Sequence, residues 1–422
     1  MESRSLADWL AYLENLHPFT IDLSLNRVKK VKDNLCLTPL FPVITVGGTN
    51  GKGSVCAMLE TTLSASGYRV GCYTSPHLLT FNERIRMLQQ EVGDAKICSA
   101  FDAIENARLQ SQVTLTYFEF GTLAAMHLFI ESNVDVAILE VGLGGRLDAV
   151  NIFDADCAIL ASIDLDHMDY LGKTREEIGL EKIGIFRKDH YAICSEPDIP
   201  PGVQIKVDEL GVKFFRINQD FSYSTQDNCQ WNFYGPQNNV YALPYPALRG
   251  VSQLRNASAC LAALDCLKDK LPVDNQAIRR GLVATTLKGR FQVLPGYPLV
   301  ILDVAHNPAA AKVLAENLDQ MGSSFPRTYA IIGMLKDKDI ASVIQTLKNH
   351  IDVWLIGTIH SSRGARAEDI ALLVNNITHS SEIHSFSNLS DAYTFAQKHA
   401  SKNDIICVFG SFYTVSAILA FT

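Results

Sequence analysis

Residues 47–54 read GGTNGKGS. A lysine among glycines, directly after the apolar run Val43 to Val46, has the makings of a phosphate-binding loop. Such a site needs backbone N–H groups converging on the anion, a helix N-terminus behind them and a cation beside them. Glycines permit the close approach, and Lys52 supplies the charge. The strict pattern G-x-x-x-x-G-K-[ST] is not met, because Val46 stands in place of the first glycine and Gly53 separates Lys52 from Ser54. The bland alternative is a glycine-rich strand-to-helix turn. The lysine and its setting favour phosphate, and the loop is expected to keep its shape without that side chain.

Three further stretches carry candidate chemistry. In VDVAILEVGLGGRLDAVNIF (134–153), Glu140 closes an apolar run and precedes a glycine loop. A carboxylate at the carboxyl end of a buried parallel strand is where nucleotide enzymes hold Mg²⁺. Read alone, Glu140 serves equally well as a loop-capping acid. In LASIDLDHMDYLG (160–172), Asp166-His167 sits where a second metal ligand belongs, although a lone histidine is more often structural. In LDVAHNP (302–308), a strand ends at Asp303, and His306-Asn307-Pro308 opens a helix. An ordinary N-cap would also explain that motif.

These residues need a scaffold that gathers strand ends. FPVITV, a helix near 54–66 and YRVGCYTS form one β-α-β unit, and VDVAILEV and DCAILASI add further apolar runs. Continuous apolarity suits buried parallel strands. Alternation of strand and helix then predicts a doubly wound α/β domain. Residues 190–250 mix polar and aromatic residues with Pro, Asn and Gln turns, which predicts a small β appendage. A helix follows at about 253–268. From residue 298, LVILDVA, TYAIIGM, DVWLIGT and IICVFGS predict a second, Rossmann-like α/β domain. LKGRFQVLPGYP, just before it, reads as a linker. The domain division is expected at 1–295 and 296–422, with one site served by both.

Composition sets outer bounds. The chain has 422 residues, 47% hydrophobic and 19% charged, with a net charge of −8. That argues against a general nucleic-acid binder and leaves a local basic pocket open. Ten cysteines lack any C-x-x-C pair. The start, MESRSLADWLAYLENLHP, reads as an amphipathic helix rather than a secretory leader. No apolar run is long enough for a membrane span. A cytoplasmic protein with reduced thiols is expected.

Taken together, the motifs carry a resemblance. GGTNGKGS resembles the G-T-[NK]-G-K-x-[ST] loop of the Mur ligase superfamily. ILEVGLGGRLD with EKIGIFR (181–187) resembles the folylpolyglutamate synthase group. HPFTIDL, TSPHL, LTYFEFG, LKGRFQ and LDVAHNP are similar to the bacterial bifunctional dihydrofolate synthase/folylpolyglutamate synthase family, in order over nearly the whole chain. The resemblance implies ATP-dependent joining of a carboxylate to the amine of L-glutamate through an acyl phosphate. It implies that Thr49, Asn50, Gly51, Lys52, Gly53 and Ser54 cradle the ATP phosphates, with Asn256, Arg290 and Asp303 completing the nucleotide site. Ser75 and Glu140 would hold one Mg²⁺ and His167 a second, with a monovalent cation as a further expectation. Lys52, Lys182 and His167 are the expected catalytic groups. Lys182 matches the lysine that the family carbamylates, although from sequence it reads as a surface residue.

Ile21, Asp22 and Leu23, with Thr116, Tyr117, Phe118 and Glu119, match the segments that bind 7,8-dihydropteroate. Aromatic rings can stack on a flat heterocycle, and a carboxylate can accept hydrogen bonds from its amino group. Without the resemblance, Tyr117 and Phe118 read as core at a helix start. His306 and Ser411 would lie near the incoming glutamate.

Expected partners are therefore dihydropteroate, reduced folates, L-glutamate and ATP, with no nucleic acid or membrane, and a monomer. A Mur-type cell-wall ligase is a rival, but only about 40 residues precede the phosphate loop, too few for its N-terminal domain. A monofunctional folylpolyglutamate synthase is the nearer alternative. A guanine-nucleotide switch would show N-K-x-D, and LKDKD at 335–339 lacks the Asn.

Overall fold

The computed structural model describes residues 4–226, 229–321, 325–378 and 382–421. It divides into two compact units. The first comprises 1–163, 173–247 and 254–285. The second comprises 164–172, 248–253 and 286–422. Two short excursions of the chain thus belong with the C-terminal unit, one of them the loop that carries His167.

The first unit is built on an eight-stranded sheet. In chain order its strands are β1 (Val43–Gly47), β2 (Val70–Tyr73), β3 (Ile85–Met87), β4 (Gln90–Glu91), β5 (Val136–Glu140), β6 (Cys157–Leu160), β7 (Tyr191–Cys194) and β8 (Lys213–Arg216). They lie in the order β4-β3-β2-β5-β1-β6-β7-β8. The core strands are parallel, and at one edge β3 runs against both of its neighbours, β2 and β4. Strand β1 lies between β5 and β6, with Val46 opposite Glu140 and Gly47 opposite Leu160. This register brings the phosphate loop, Glu140 and the Ser162 segment to one carboxyl edge, as the apolar runs predict.

The β-rich region is smaller than the sequence suggests. β7 and β8 extend the main sheet. Only β9 (Ser222–Thr225), β10 (Gln230–Tyr234) and β11 (Asn239–Pro244) form the separate antiparallel sheet. The buried Ala192–Cys194 run pairs with β6 in parallel register, so its apolar character outweighs the turn-rich residues around it. At the N-terminus, the helix Leu6–Leu16 starts with a capping box between Ser5 and Asp8 and buries Leu6, Trp9 and Leu13. That three-to-four-residue spacing is one helix face. Trp9 packs edge-on against Phe101 at 5.7 Å.

The second unit holds a six-stranded sheet of β12 (Gln292–Leu294), β13 (Leu299–Leu302), β14 (Thr328–Ile332), β15 (Val353–Gly357), β16 (Glu382–Phe386) and β17 (Ile405–Phe409). The order is β12-β13-β17-β14-β15-β16. Residues 292–294, expected in a linker, pair antiparallel with β13 instead. Their neighbours Gly289 and Gly296 have positive φ, so the glycines that suggest a linker shape the turns flanking this strand. Edge strand β16 has no apolar run and was not predicted; partly exposed His384 and Ser385 account for that. Among the described residues no helix is long and apolar enough to cross a membrane. All ten cysteines are free thiols, and seven are buried.

The phosphate-loop helix, Lys52–Ala65, is backed by the helix Asn275–Ala284. A Cβ on Gly281 would lie 2.4 Å from Thr62 Oγ1 and 2.5 Å from Thr62 Cα. Gly281→Ala is therefore expected to push the two helices apart and destabilise the protein by about 1–3 kcal/mol. Urea unfolding of the variant checks this, and an unchanged midpoint would contradict the close packing.

Candidate active site

The loop after β1 is shaped by three contacts. Gly48 has φ of 143°, and a Cβ there would sit 3.0 Å from the Ser162 amide nitrogen. Thr49 N–H donates to Ser162 O at 2.9 Å and Asn50 N–H to Ser162 Oγ at 2.9 Å. Gly51 is left-handed at φ of 87° and forms the N-cap of the following helix. A Cβ on Gly51 would fall 2.8 Å from Asn256 Oδ1, so Asn256 packs on the loop. Lys52 Nζ donates to Gly48 O at 2.9 Å and Thr49 O at 3.1 Å. The loop thus does use that side chain, contrary to the sequence expectation: its carbonyls fold toward the lysine, which leaves the opposite, N–H face to the helix start.

Ser75 and Glu140 meet. Ser75 N–H donates to Glu140 Oε2 at 3.0 Å, and Glu140 is 4% exposed. A hydroxyl and a carboxylate are hard oxygen donors, which suit Mg²⁺ held by one or two protein groups plus substrate phosphates and water. Among the described residues no group of three or more His, Cys, Asp or Glu forms a protein cage for a metal. That absence is compatible with this sparser mode of holding Mg²⁺.

The glycine loop after β5 is organised by Asp148. Its Oδ2 accepts from Gly142 N at 3.0 Å and Leu143 N at 2.9 Å, and its Oδ1 accepts from Val150 N at 3.0 Å. Burial raises its pKa to about 6, against the pull of those three amides and of Lys52. Sequence reasoning passed over Asp148; an acid inside GLGGRLD was the available signal. Lys182 lies against the same loop. It is 4% exposed rather than a surface lysine, and a Cβ on Gly145 would sit 2.6 Å from its carbonyl oxygen.

The segments proposed for the pterin are joined by residues not singled out in the sequence. Arg27 Nη1 donates to Asp22 Oδ2 at 2.8 Å, and its Nη2 donates to Glu119 Oε1 at 3.0 Å. His17 bridges Thr114 and Asp22. Glu119 Oε2 accepts from Thr116 N at 2.7 Å and completes a capping box at the start of the helix Tyr117–Glu131. Burial raises the Glu119 pKa, only partly offset by Thr116 and Arg27. Both its oxygens are engaged by protein donors, so Glu119 secures the helix start and Arg27.

Tyr117 and Phe118 point to different neighbours. Tyr117 packs edge-on against Phe81 with the Arg84 guanidinium 5.4 Å above its ring, while Phe118 packs on Tyr73 and Gly142. Arg84 Nε also donates to His77 Nδ1 at 2.8 Å. Burial and that cation lower the His77 pKa to about 4, so His77 is neutral at pH 7. Ile21 and Leu23 lie in the irregular stretch before the helix Asn26–Asn34 and are partly exposed.

In the second unit the hub is Asp166. It accepts from Lys338 Nζ at 2.6 Å, Asn307 Nδ2 at 3.1 Å and its neighbour His167 N at 2.8 Å, and His306 Nε2 lies 3.5 Å away. Burial would raise its pKa, but His306, His167 and Lys338 together hold it well below the usual carboxylate range. His167 is left-handed at φ of 50°, with Lys338 Nζ 3.5 Å from its Nε2. Lys338, in LKDKD, was not predicted.

Asp303 accepts from Phe291 N and Ala305 N, each at 2.8 Å, while the neighbouring Arg290 guanidinium stacks 5.1 Å from the Phe412 ring. Burial raises the Asp303 pKa despite Arg290. Ser411 is buried as the N-cap of the helix Phe412–Leu419, with its Oγ also 2.8 Å from Thr414 Oγ1. Its hydroxyl thus caps this helix.

A phosphate loop at the carboxyl edge of a parallel sheet, an oxygen-donor pair beside it and a second α/β unit define an ATP-using enzyme. Comparison with protein families makes the class explicit. The Mur ligase middle domain matches residues 46–264, and the Mur ligase glutamate ligase domain matches residues 289–412, so the chain belongs to the Mur ligase superfamily. A dihydrofolate synthase/folylpolyglutamate synthase of Escherichia coli (strain K12) is 44% identical over 415 residues, covering 98% of this chain and 94% of that protein. The structure of E. coli FolC in complex with DHPP and ADP matches with a TM-score of 0.93 at 42% identity, covering 99% of this chain and 98% of that one. A bifunctional folylpolyglutamate synthase/dihydrofolate synthase with Mn, AMPPNP and L-glutamate bound matches with a TM-score of 0.90 at 42% identity, covering 99% and 98%. The chain belongs to the dihydrofolate synthase/folylpolyglutamate synthase family.

The raised pKa of Asp148 gives a test with a definite sign. Its folded value lies above the ordinary aspartate value, so the associated stability is full below about pH 4 and is lost as pH rises through about 6. Relative to Asp148→Asn, the wild type should gain about 1 kcal/mol between pH 7 and pH 5. Urea unfolding of both proteins at the two pH values reads this directly. A constant difference would mean that Asp148 titrates as a solvated acid.

Proposed function

We propose that this enzyme joins L-glutamate to 7,8-dihydropteroate, forming dihydrofolate, and adds further glutamates to reduced folates. The reaction proceeds through an acyl phosphate. A carboxylate oxygen of the pteroate or folate attacks the γ-phosphorus of ATP, and ADP leaves. The glutamate amine then attacks the acyl carbon, and phosphate leaves from the tetrahedral intermediate. No covalent protein group is required; phosphoryl transfer is carried by positioning and charge neutralisation.

The observation that best supports this reading is the grouping of Lys52, the Gly48–Gly51 loop, Asn256 and the Ser75–Glu140 pair in one unit of a Mur-type fold. In this reading the N–H groups of Gly51 to Ser54 at the helix start cradle the phosphates, Thr49 and Asn50 shape the loop through Ser162, and Lys52 stabilises the charge on the transferred group. Asn256, Arg290 and Asp303 complete the nucleotide site. Ser75 and Glu140 hold one Mg²⁺, and His167 serves a second. Mg²⁺, when bound with ATP, neutralises the developing phosphate charge.

Lys182, buried beside the Asp148-organised loop, carries a carbamate that turns a cation into an anion able to support the metal. Ile21, Asp22, Leu23 and the Thr116–Glu119 segment hold the pterin, with Arg27 fixing Asp22 and Glu119 in place. His306 and Ser411 serve the glutamate. A monovalent cation, a monomeric state and a cytoplasmic setting complete the proposal; the free thiols are consistent with the last.

The decisive measurement is phosphate release with dihydropteroate, ATP and glutamate. Release is expected with dihydropteroate and with a reduced folate. Release only with the reduced folate would leave a monofunctional folylpolyglutamate synthase. Lys52→Ala should lower turnover by about 10²–10³-fold. Its unfolding midpoint should fall only slightly, because two hydrogen bonds to the loop carbonyls are lost at about 1 kcal/mol each. A Lys52→Ala enzyme with wild-type turnover would overturn the phosphate-loop assignment.

A further inference from the structure

Behind the phosphate loop lies a buried ion pair that the reaction does not use. Glu60, on the phosphate-loop helix, is 4% exposed. Arg86 on β3 reaches it with Nε at 2.9 Å and Nη2 at 2.8 Å from Oε2. The rest of the guanidinium is also committed. Nη1 donates to Thr74 Oγ1 at 3.1 Å and to Glu83 O at 2.9 Å, and Nη2 approaches Cys72 Sγ at 3.3 Å. Burial holds the Cys72 and Cys56 thiols protonated, which leaves Glu60 as the anion that Arg86 neutralises.

A buried ion pair is a poor source of stability, since well-packed apolar residues of similar size serve as well. What the planar fork of arginine adds is fixed geometry. Here one arm grips the helix that starts at Lys52, and the other grips Thr74. Thr74 N–H is itself held by Arg84 O at 2.9 Å, and the next residue, Ser75, donates to Glu140. The contacts run without a gap from the phosphate-loop helix through Glu60, Arg86 and Thr74 to Ser75 and Glu140.

We propose that Arg86 and Glu60 are positioning residues that set the placement of the Thr74–Ser75 segment relative to the phosphate-loop helix, and so tune the affinity for the divalent cation that accompanies the nucleotide. The affinity part rests on the reading of Ser75 and Glu140 as cation-holding residues. The positioning part rests on the hydrogen bonds alone.

Two variants separate this role from general stability. Thr74→Val removes the hydroxyl and leaves the ion pair intact. Arg86→Lys keeps the charge and loses the fork. Both are compared with wild type by Mn²⁺ titration in the presence of a non-hydrolysable ATP analogue, and by hydrogen exchange of the Ser75 amide with no ligand present. For Thr74→Val, Mn²⁺ affinity should fall about five-fold. Ser75 exchange should quicken, turnover should recover at high Mg²⁺, and the KM for dihydropteroate should stay constant. Arg86→Lys should show the larger change; if it does not fold, Thr74→Val decides alone.

Wild-type Ser75 exchange in folded Thr74→Val would overturn the positioning role, and wild-type Mn²⁺ affinity would overturn its link to the cation. Glu140→Gln serves as the reference. If it too keeps full Mn²⁺ affinity, the cation reading of Ser75 and Glu140 is what has failed, and Ser75 exchange still decides the positioning role.

Discussion

The first unit depends on one close approach, the backbone of Gly48 and Thr49 against Ala161 and Ser162. A Cβ at Gly48 would lie 3.0 Å from the Ser162 nitrogen and 3.1 Å from the Ala161 Cβ. Only glycine at this φ lets the loop lie on the end of β6, and only then can Ser162 accept from Thr49 and Asn50. Once those two amides are taken, the chain must turn left-handed at Gly51 to begin its helix. That turn sets the first free helical N–H groups and Lys52 around one point. The strand order carries the same constraint outward. Because β1 lies between β5 and β6, the loops after all three strands open at one edge.

How much of this can be read in the sequence follows from what each signal measures. Apolar runs report burial on both faces, so β1, β2, β5, β6 and the central strands of the second sheet were legible. Strand β16 pairs on one side only and carries His384 and Ser385, so no apolar run marks it. Glycines report a need for unusual φ, which identifies the loop at 47–54. The same signal misled at 287–298, where they flank a strand. The position of Glu140 followed from a strand end, and that of Ser75 from the resemblance alone. Arg27, Asp148 and Arg86 did not, because their roles exist only through partners such as Glu119, the Gly142 amide and Glu60, which lie distant in sequence or wrap back within a turn. Side-chain hydrogen bonds have no periodicity to betray them.

The second unit solves a different problem, that of holding a histidine in a left-handed turn. Non-glycine residues pay for such a conformation and need surroundings that enforce it. At His167 the enforcement is electrostatic. Asp166 accepts from the His167 amide and from Lys338, with Asn307 on its second oxygen. Two of these groups come from the loops after β13 and β14, so the segment 164–172 is fastened to the C-terminal sheet's own machinery. His306 and Asn307 read in sequence as a helix start, and Asn307 is one. The same residues also grip Asp166, so the helix start and the anchoring of the histidine loop are a single arrangement.

Buried charge follows a common rule in the two units. Asp148, Glu140, Asp166 and Asp303 lie at or after strand ends and Glu60 lies on the phosphate-loop helix, and each carboxylate faces backbone amides or a cation. Ionised carboxylates are costly to bury without such partners. Where amides predominate, as at Asp148 and Asp303, burial still wins and the pKa rises. Where a lysine and two histidines converge, as at Asp166, it falls. The sheet edges thus carry acids of two kinds, one set organising loops through amides and the other tied to histidine and lysine. The partners of an amide-held acid do not titrate, while Asp148 itself takes up a proton as the pH falls through about 6. At Asp166 the partners are side chains, so the carboxylate is held by Lys338 and Asn307 as well as by its neighbour's amide. Loop shape in the first unit thus rests on fixed backbone donors, and the histidine loop of the second unit on polar and charged side chains.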